Sequence, residues 1–570
     1  MQADFPKIYE PKGIEERQFK AWTDEKLFTP PAESDKESFV IVIPPPNVTG
    51  KLTLGHVLDN ELQDILVRFH SLQGMDALWV PGQDHAGIAT QVVVERMLAK
   101  EGVSKDDLGR EEFVKKVWEW ATEHRGIIRK QLDRMGCALD WSRERFTLDE
   151  GLSRAVRTVF VKLYDKGLIY RGLRIVNWCP RCQTAISGEE TEYENKQSSL
   201  WYIRYPLEDG TGHIIVATTR PETMLGDTAV AVHPEDKRYS SYIGKHVTLP
   251  LIGRRIPVIA DEVVEREFGT GAVKVTPYHD PNDFQIGQRH KLEKVKVINE
   301  DGVMTDKAGA YTGKDRYAAR KEIVRDLETQ ELLEKTEPYS LSASTCSRCH
   351  TVIEPLLSEQ WFCKMKPLAE PAIKAVEEGV VRFYPERWRN LYFHWMRNIQ
   401  DWCLSRQLWW GHRIPVYTCE KCSHQFASVE EPDKCPECST SELAQDPDVL
   451  DTWFSSWLWP FSVFGWPEET PDLKRFYPTS TLVSGWDIIY LWDARMIMAG
   501  LEFTDTKPFD DVMFHVMIRD EKGRKMSKSL GNSPDPFYLI DKYGADALRF
   551  GLLLITPREQ DVLYSEERIK

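Results

Sequence analysis

FVIVIPPPNVTGKLTLGHVLDNELQDILVRFH, residues 39–70, passes from an unbroken apolar run through three prolines and a glycine turn into an apolar pattern of a different period. Residues 39–43 form the continuous run of a strand buried on both faces. Pro44, Pro45 and Pro46 end it, because proline offers no donor to a sheet ladder. Leu58, Leu62, Ile65, Leu66 and Phe69 then recur at the spacing of one helical face, and Gly74 stands where that helix would close. A second apolar run, residues 77–80, precedes PGQDHAG. Strand, helix and strand in this order make a parallel α/β unit. Its first turn gathers free N–H groups and a positive dipole end at one point, which suits a polyphosphate. Gly50 and Gly55 permit close backbone approach there. The wording is neither a Walker A loop nor a GxGxxG fingerprint, so further phosphate-binding groups must come from elsewhere in the chain.

At 570 residues the chain exceeds what one core spans, and three or four domains are expected. Hydrophobic residues make up 41 % and charged residues 29 %, ordinary values for a globular enzyme. No apolar stretch reaches the ~18 residues of a membrane helix, so no membrane role is expected. The start, MQADFPKIYE, shows no basic segment followed by an apolar one, and a cytoplasmic location is expected. The net charge of −15 argues against whole-surface attraction to nucleic acid while leaving room for local basic patches.

Eight of the eleven cysteines fall into CxxC pairs: Cys179/Cys182, Cys346/Cys349, Cys419/Cys422 and Cys435/Cys438. In a cytosolic chain such pairs suggest metal before disulfides. CEKC and CPEC have a knuckle spacing that lets four thiolates surround Zn2+. CPRC and CSRC share the pattern but lie far apart, so a joint site requires the chain between them to be an insertion that returns to its start. Redox CxxC motifs or unrelated thiol pairs are the alternative.

Between the distant pairs the chain changes character. HIIVATTR, TAVAVHP, HVTLPLIG, RIPVIA, GAVKVTP and KVKVINEDG are short β-rich runs broken by Gly and Pro. Helix and strand alternate before and after them, with TLVSG, the helical pattern of DIIYLWDARMIMAG and the alternating VMFHVMI on the far side. The expected architecture is a Rossmann-like parallel-sheet α/β catalytic domain split by an inserted, mostly-β domain, with zinc knuckles. The boundaries read as 1–190, 191–342, 343–510 with a zinc-binding insertion at 412–445, and 511–570. Residues 519–532, RDEKGRKMSKSLGN, carry Lys522, Arg524, Lys525 and Lys528 on a glycine-containing loop after a strand. Such a loop can close over a triphosphate; a solvated basic surface loop is the alternative.

TLGH at 53–56 resembles the HIGH signature, and KMSKS at 525–529 matches the second signature, of class I aminoacyl-tRNA synthetases. The wording PPPNVTGKL, PGQDHAGIATQ, NWCPRC, TTRPET, FGTGAVKVTPYHDPND, SRQLWWGH, DTWFSS and GRKMSKSLGN resembles the valyl branch of that family across nearly the whole chain. Isoleucyl and leucyl members share the layout but word the DHAGIATQ segment differently. The resemblance implies ATP-dependent activation of valine to valyl-adenylate, with Mg2+, and transfer to tRNA(Val) by a monomer. It also implies roles. His56 and Gly55 would meet the ATP phosphates. Lys525 and Lys528, with Ser527 beside them, would stabilise the leaving pyrophosphate, and Gly485 and Asp487 would hold the ribose. Asp84 would pair with the ammonium group of valine, with Asn47 alongside, and Pro45, Trp453, Ile488 and Trp492 would wall the pocket. Ile488 and Trp492, four apart on one expected helix, would share a face, as ordinary core residues also do.

Thr53 stands where the first signature histidine is expected; a hydroxyl donates one hydrogen bond without the reach or charge of imidazole. Gln83 and Asp493 also depart from the family pattern.

An apolar pocket separates valine from threonine weakly, and this amino-acid pair is itself the standard illustration of the need for a second, hydrolytic site. The β insertion resembles the editing domain that supplies such a site. Arg220, Thr223, Phe268, Lys274, Thr276, Asp280 and Asp283 match the positions that carry it. Asp283 would bind the threonine ammonium, and Thr276 and Asp280 would recognise its hydroxyl. Family members continue into a helical anticodon-binding domain, and the resemblance implies truncation before it. An isoleucyl or leucyl enzyme, or a degenerate RNA-binding protein without catalysis, is the rival reading.

Overall fold

The computed structural model describes residues 10–11, 13–524, 526, 532–556 and 560–569. It divides into two compact units, one of residues 1–170 with 362–570 and the other of residues 171–361.

The first unit opens as its sequence implies. Strands Ser38–Val42 and Asp76–Val80 pair in parallel, Phe39 opposite Ala77, with helix Leu54–Leu72 between them. A second parallel set has the order Arg382–Tyr384, Phe509–His515, Thr479–Gly485. The Val40 N–H donates to Ser480 Oγ at 2.9 Å, tying the opening strand to this set. Strands Ser38–Val42 and Thr479–Gly485 each lead from their carboxyl ends toward helix, Leu54–Leu72 in one case and the 3-10 turn Trp486–Ile488 in the other.

The connecting helix departs from its expected face. Leu58 is buried, but Ile65 and Phe69 are 41 % and 54 % exposed. Its buried side instead carries Asp59, Asn60, Glu61, Gln63 and Asp64. Each of several polar groups there has a specific partner: Gln63 Oε1 accepts from Trp79 Nε1 at 2.9 Å, Asp64 accepts from the Ala138 N–H at 2.7 Å, and Arg549 reaches both Glu61 and Asp64. Arg549 lies on helix Ala545–Ile555, which packs on this side and follows helix Pro536–Tyr543 across Gly544, whose φ is 90°. Burial is set by that second helix, which periodicity within one segment does not reveal.

In the second unit, a four-stranded sheet has the order His246–Thr248, Arg255–Ala260, Ala229–Val232, Ala272–Val275. Strand Ala229–Val232 is buried on both faces: Val230 and Val232 enter the main core with Ile203, Val216 and Val258, while Ala229 and Ala231 pack against Val264, Val275 and Ile286. A three-stranded sheet joins Leu333–Cys346, Thr191–Pro206 and His213–Thr218. Its two long strands pair antiparallel from Leu333 opposite Ile203 to Cys346 opposite Thr191, so the chain returns to its starting point. The KVKVINEDG run is not a strand. Val295, Val297 and Ile298 are buried, but the N–H groups of Val297 and Ile298 donate to His279 Nε2 at 3.0 and 3.3 Å, and the run forms an isolated bridge, Ile298 to Met304, in place of a ladder.

Candidate functional site

The helix that follows the three prolines begins with Thr53 as N-cap and His56 in its first turn. The Thr53 N–H donates to His56 Nδ1 at 3.1 Å, and Thr53 Oγ1 lies 2.9 Å from the same nitrogen. This reciprocal arrangement is what threonine provides at an N-cap. With Nδ1 engaged as acceptor, a neutral ring carries its proton on Nε2, as a donor. Thr53 therefore orients His56. The segment after the lysine loop reaches this region, with Lys51 Nζ 3.4 Å from Asp535. Asp520 holds the two ends of the loop together, accepting from the Arg524 N–H at 2.8 Å and from Asn532 Nδ2 at 2.9 Å. These hydrogen bonds, that of Asn532 first, keep its carboxyl well below the usual range. Lys525, Ser527 and Lys528 lie outside the described residues.

Asn47 and Asp84 are brought side by side in a parallel bridge, with the Val48 N–H donating to the Asp84 carbonyl at 3.1 Å. The Asp84 carboxylate is buried and accepts from Ser456 Oγ and from the Ala86 N–H, both at 2.6 Å. Burial pushes its pKa up to about 6 against these two donors. Trp492 Nε1 donates to the Ser456 carbonyl at 2.9 Å, and Trp453 lies one turn before Ser456 on helix Trp453–Ser456. Asp84 and Trp492 therefore meet at Ser456, with Trp453 half-buried on the same short helix; the DTWFSS wording contains Ser456, but nothing local marks which serine turns inward. Pro45 and Ile488 are half-buried. The shared helical face expected for Ile488 and Trp492 is absent, because Trp486–Ile488 is a 3-10 turn and Ile489–Asp493 a π turn before helix Ala494–Thr504 begins. A π turn adds a residue per turn, so Trp492 is aimed by its bond to Ser456 instead.

Gly485 ends its strand opposite His515. A Cβ there would lie 2.7 Å from Asp487 Oδ1, so the absence of a side chain lets the Asp487 carboxylate fold back over the strand end. Beside it a cavity of about 300 Å³ is lined by Trp388, Trp486, Phe514, His515, Val516 and Asp561 among others, with the two indoles stacked at 5.0 Å.

In the other unit, Lys274, Thr276, Asp280 and Asp283 lie together. Asp283 accepts from the Thr276 N–H at 2.8 Å, and Asp280 caps helix Pro281–Arg289 by accepting from the Asn282 and Asp283 N–H groups. Burial, then the neighbouring Asp280 charge, pushes Asp283 up to about 7. Asp227, not anticipated from the sequence, bonds Lys274 and Thr276 from beneath. Arg220 is tied into an ionic network with Glu222 and Glu354, and Thr223 Oγ1 donates to the Arg220 carbonyl at 2.9 Å. Phe268 is 55 % exposed on a loop.

The cysteines form two four-thiol clusters, Cys179/Cys182/Cys346/Cys349 and Cys419/Cys422/Cys435/Cys438, each with all sulfurs within 4.8 Å of one another. None is in a disulfide. Contacts of 3.4, 3.5 and 3.7 Å approach the ~3.8 Å edge of a tetrahedron with Zn–S bonds of about 2.3 Å. Every pair is a knuckle of one design. The residue after the second cysteine is left-handed (Gln183, His350, Ser423 and Ser439, φ 56–59°), and its N–H returns to the carbonyl of the first cysteine. Both sets fit zinc, held by four protein ligands and hence closed to substrate. Metal analysis is expected to find two zinc ions per chain, and Cys435→Ser one; retention of two would contradict the assignment.

Residues 17–565 match the class I tRNA synthetases described as the I, L, M and V group. Similar curated relatives include a "Valine--tRNA ligase" of Thermotoga maritima, 56 % identical over 98 % of this chain and 65 % of its own length. Another, of Carboxydothermus hydrogenoformans, is 57 % identical over the full chain and 65 % of its own length. The chain thus spans about two thirds of the length of the curated relatives it matches, falling just short of that fraction. A solved LeuRS–tRNA–LeuAMS complex of Agrobacterium radiobacter shares the fold, with a TM-score of 0.55 and 19 % identity over 99 % of this chain and 75 % of that one. With its signature helix, parallel strand ends and paired knuckles matched over almost its whole length, the chain belongs to the class I tRNA synthetases of the I, L, M and V group.

Proposed function

We propose that the chain activates valine with ATP and Mg2+ to valyl-adenylate, serves transfer to tRNA(Val), and hydrolyses threonine attached in error. The observation that carries the first step is the buried Asp84 carboxylate, held by Ser456 beside Trp453 and Trp492. A buried anion with few donors suits an ammonium group. His56 Nε2–H at a helix N-terminus would donate to the phosphates, and the cavity beside Gly485 and Asp487 would take the adenosine. Lys525 and Lys528 would stabilise the departing pyrophosphate. A monomer in the cytoplasm is the assembly and setting we assign.

Valine-dependent ATP–pyrophosphate exchange, compared with threonine and isoleucine, tests the reading. A strong preference for valine over isoleucine is expected, with threonine weakly active; exchange driven best by isoleucine or leucine would overturn it. The reading also sets a pH dependence. With the Asp84 pKa near 6, the carboxylate becomes neutral as pH falls through that value and loses its attraction for the ammonium group. The kcat/KM for valine is expected to fall about tenfold between pH 7 and pH 5, in step with the ionised fraction. A flat profile over that interval would exclude Asp84 as the ammonium partner.

A further inference from the structure

Asp227 is fully enclosed, yet its carboxylate is the meeting point of three donors. Oδ2 accepts from the Tyr205 hydroxyl at 2.7 Å, while Oδ1 accepts from Thr276 Oγ1 at 2.5 Å and from Lys274 Nζ at 3.3 Å. Lys274 Nζ donates in turn to Thr276 Oγ1 at 2.6 Å. The single proton of the Thr276 hydroxyl is thus directed at Asp227. Two of the three ammonium protons of Lys274 point into the same corner, and one N–H remains for a ligand. Lys274 is also the more open partner, with 10 % of its side chain exposed against none for Asp227.

A lysine ends in a freely rotating point charge on a flexible four-carbon stem and has no aim of its own. Anchoring at two acceptors supplies one. Resting on the hydrolytic reading above, we propose that Asp227 is a positioning residue for the second site. It clamps Lys274 and Thr276 together and thereby presents the remaining Lys274 N–H to the side-chain hydroxyl of a threonyl group. The hydroxyl oxygen accepts that hydrogen bond. A methyl group in its place would leave a nearly buried ammonium N–H unpaired, a penalty that turns a small difference in shape into selection. Asparagine at 227 keeps the volume but presents an amide N–H₂ or a weaker, uncharged oxygen to the ammonium, so the clamp loosens while the surrounding core is retained.

The test uses the full chain with threonyl and 2-aminobutyryl esters of a CCA-ended tRNA minihelix, the second ester lacking the hydroxyl. Asp227→Asn is expected to slow threonyl hydrolysis about tenfold, the scale of one lost hydrogen bond to a charged group, and to change 2-aminobutyryl hydrolysis less than about twofold. Asp227→Glu, which displaces the anchor by one methylene, is expected to show the same selective loss. The 2-aminobutyryl rate reports whether the unit remains folded. Equal falls for both esters, or no fall for either, overturn the positioning role alone when the unaltered chain is active. An unaltered chain that hydrolyses neither ester overturns the hydrolytic reading together with it.

Discussion

His56→Ala is expected to lower valine-dependent pyrophosphate exchange by about 10²–10³, the loss associated with one preorganised donor, or ~3–4 kcal/mol. The size follows from how the ring is held. Its Nδ1 accepts the Thr53 N–H at 3.1 Å, so a neutral ring already bears its proton on Nε2, as the proposed reaction requires. Thr53→Val separates the two contributions of threonine. The backbone N–H remains and keeps the tautomer, while the hydroxyl at 2.9 Å is lost, so a smaller fall together with about 1 kcal/mol of lost N-cap stability is expected. Exchange rates read beside thermal melts check both variants. A folded His56→Ala protein exchanging at the unaltered rate would remove His56 from the reaction.

Glu354→Ala is expected to destabilise the unit of residues 171–361 by about 3–5 kcal/mol, because it leaves buried guanidinium charge without its counter-ion. Glu354 is 1 % exposed and accepts from Arg316 Nη1 at 2.5 Å and from Arg220 Nη2. Arg316 is itself buried and would keep the Val352 carbonyl, at 2.7 Å, and the Tyr317 ring but no counter-ion there, while Arg220 would retain the half of the network that runs through Glu222. Denaturant titration should show an early transition for this unit, with threonyl-ester hydrolysis lost across it and valine-dependent exchange retained beyond it. A single unshifted transition would mean that the network adds no stability.

The first strand–helix–strand unit was legible because hydrophobic period, proline and glycine all act within a few residues of one another. The four CxxC pairs were legible for a similar reason, since a knuckle closes on itself: the left-handed residue after each second cysteine and the returning N–H are local features. Even the distant pairing of CPRC with CSRC followed once the β-rich segment was read as an insertion, and the long antiparallel stem supplies the physical link. The remaining site residues were proposed from family wording alone, because their neighbours in sequence are not their neighbours in space.

What escaped was decided by partners far along the chain. The polar buried side of the opening helix depends on Arg549, almost 500 residues later. The missing strand in KVKVINEDG goes with a histidine ring that takes two of its N–H groups, and the aim of Trp492 depends on the Ser456 carbonyl and a π turn. Ser456 and Asp227 carry no local signal at all, one a serine among many and the other an aspartate following a turn. Sequence alone determined the opening strand–helix–strand unit and the knuckles, since those follow from backbone sterics and the spacing of residues close together in the chain. Tertiary structure decided which polar groups are dehydrated and by whom they are satisfied, because burial raises the energy of an unpaired charge only after distant elements have closed over it.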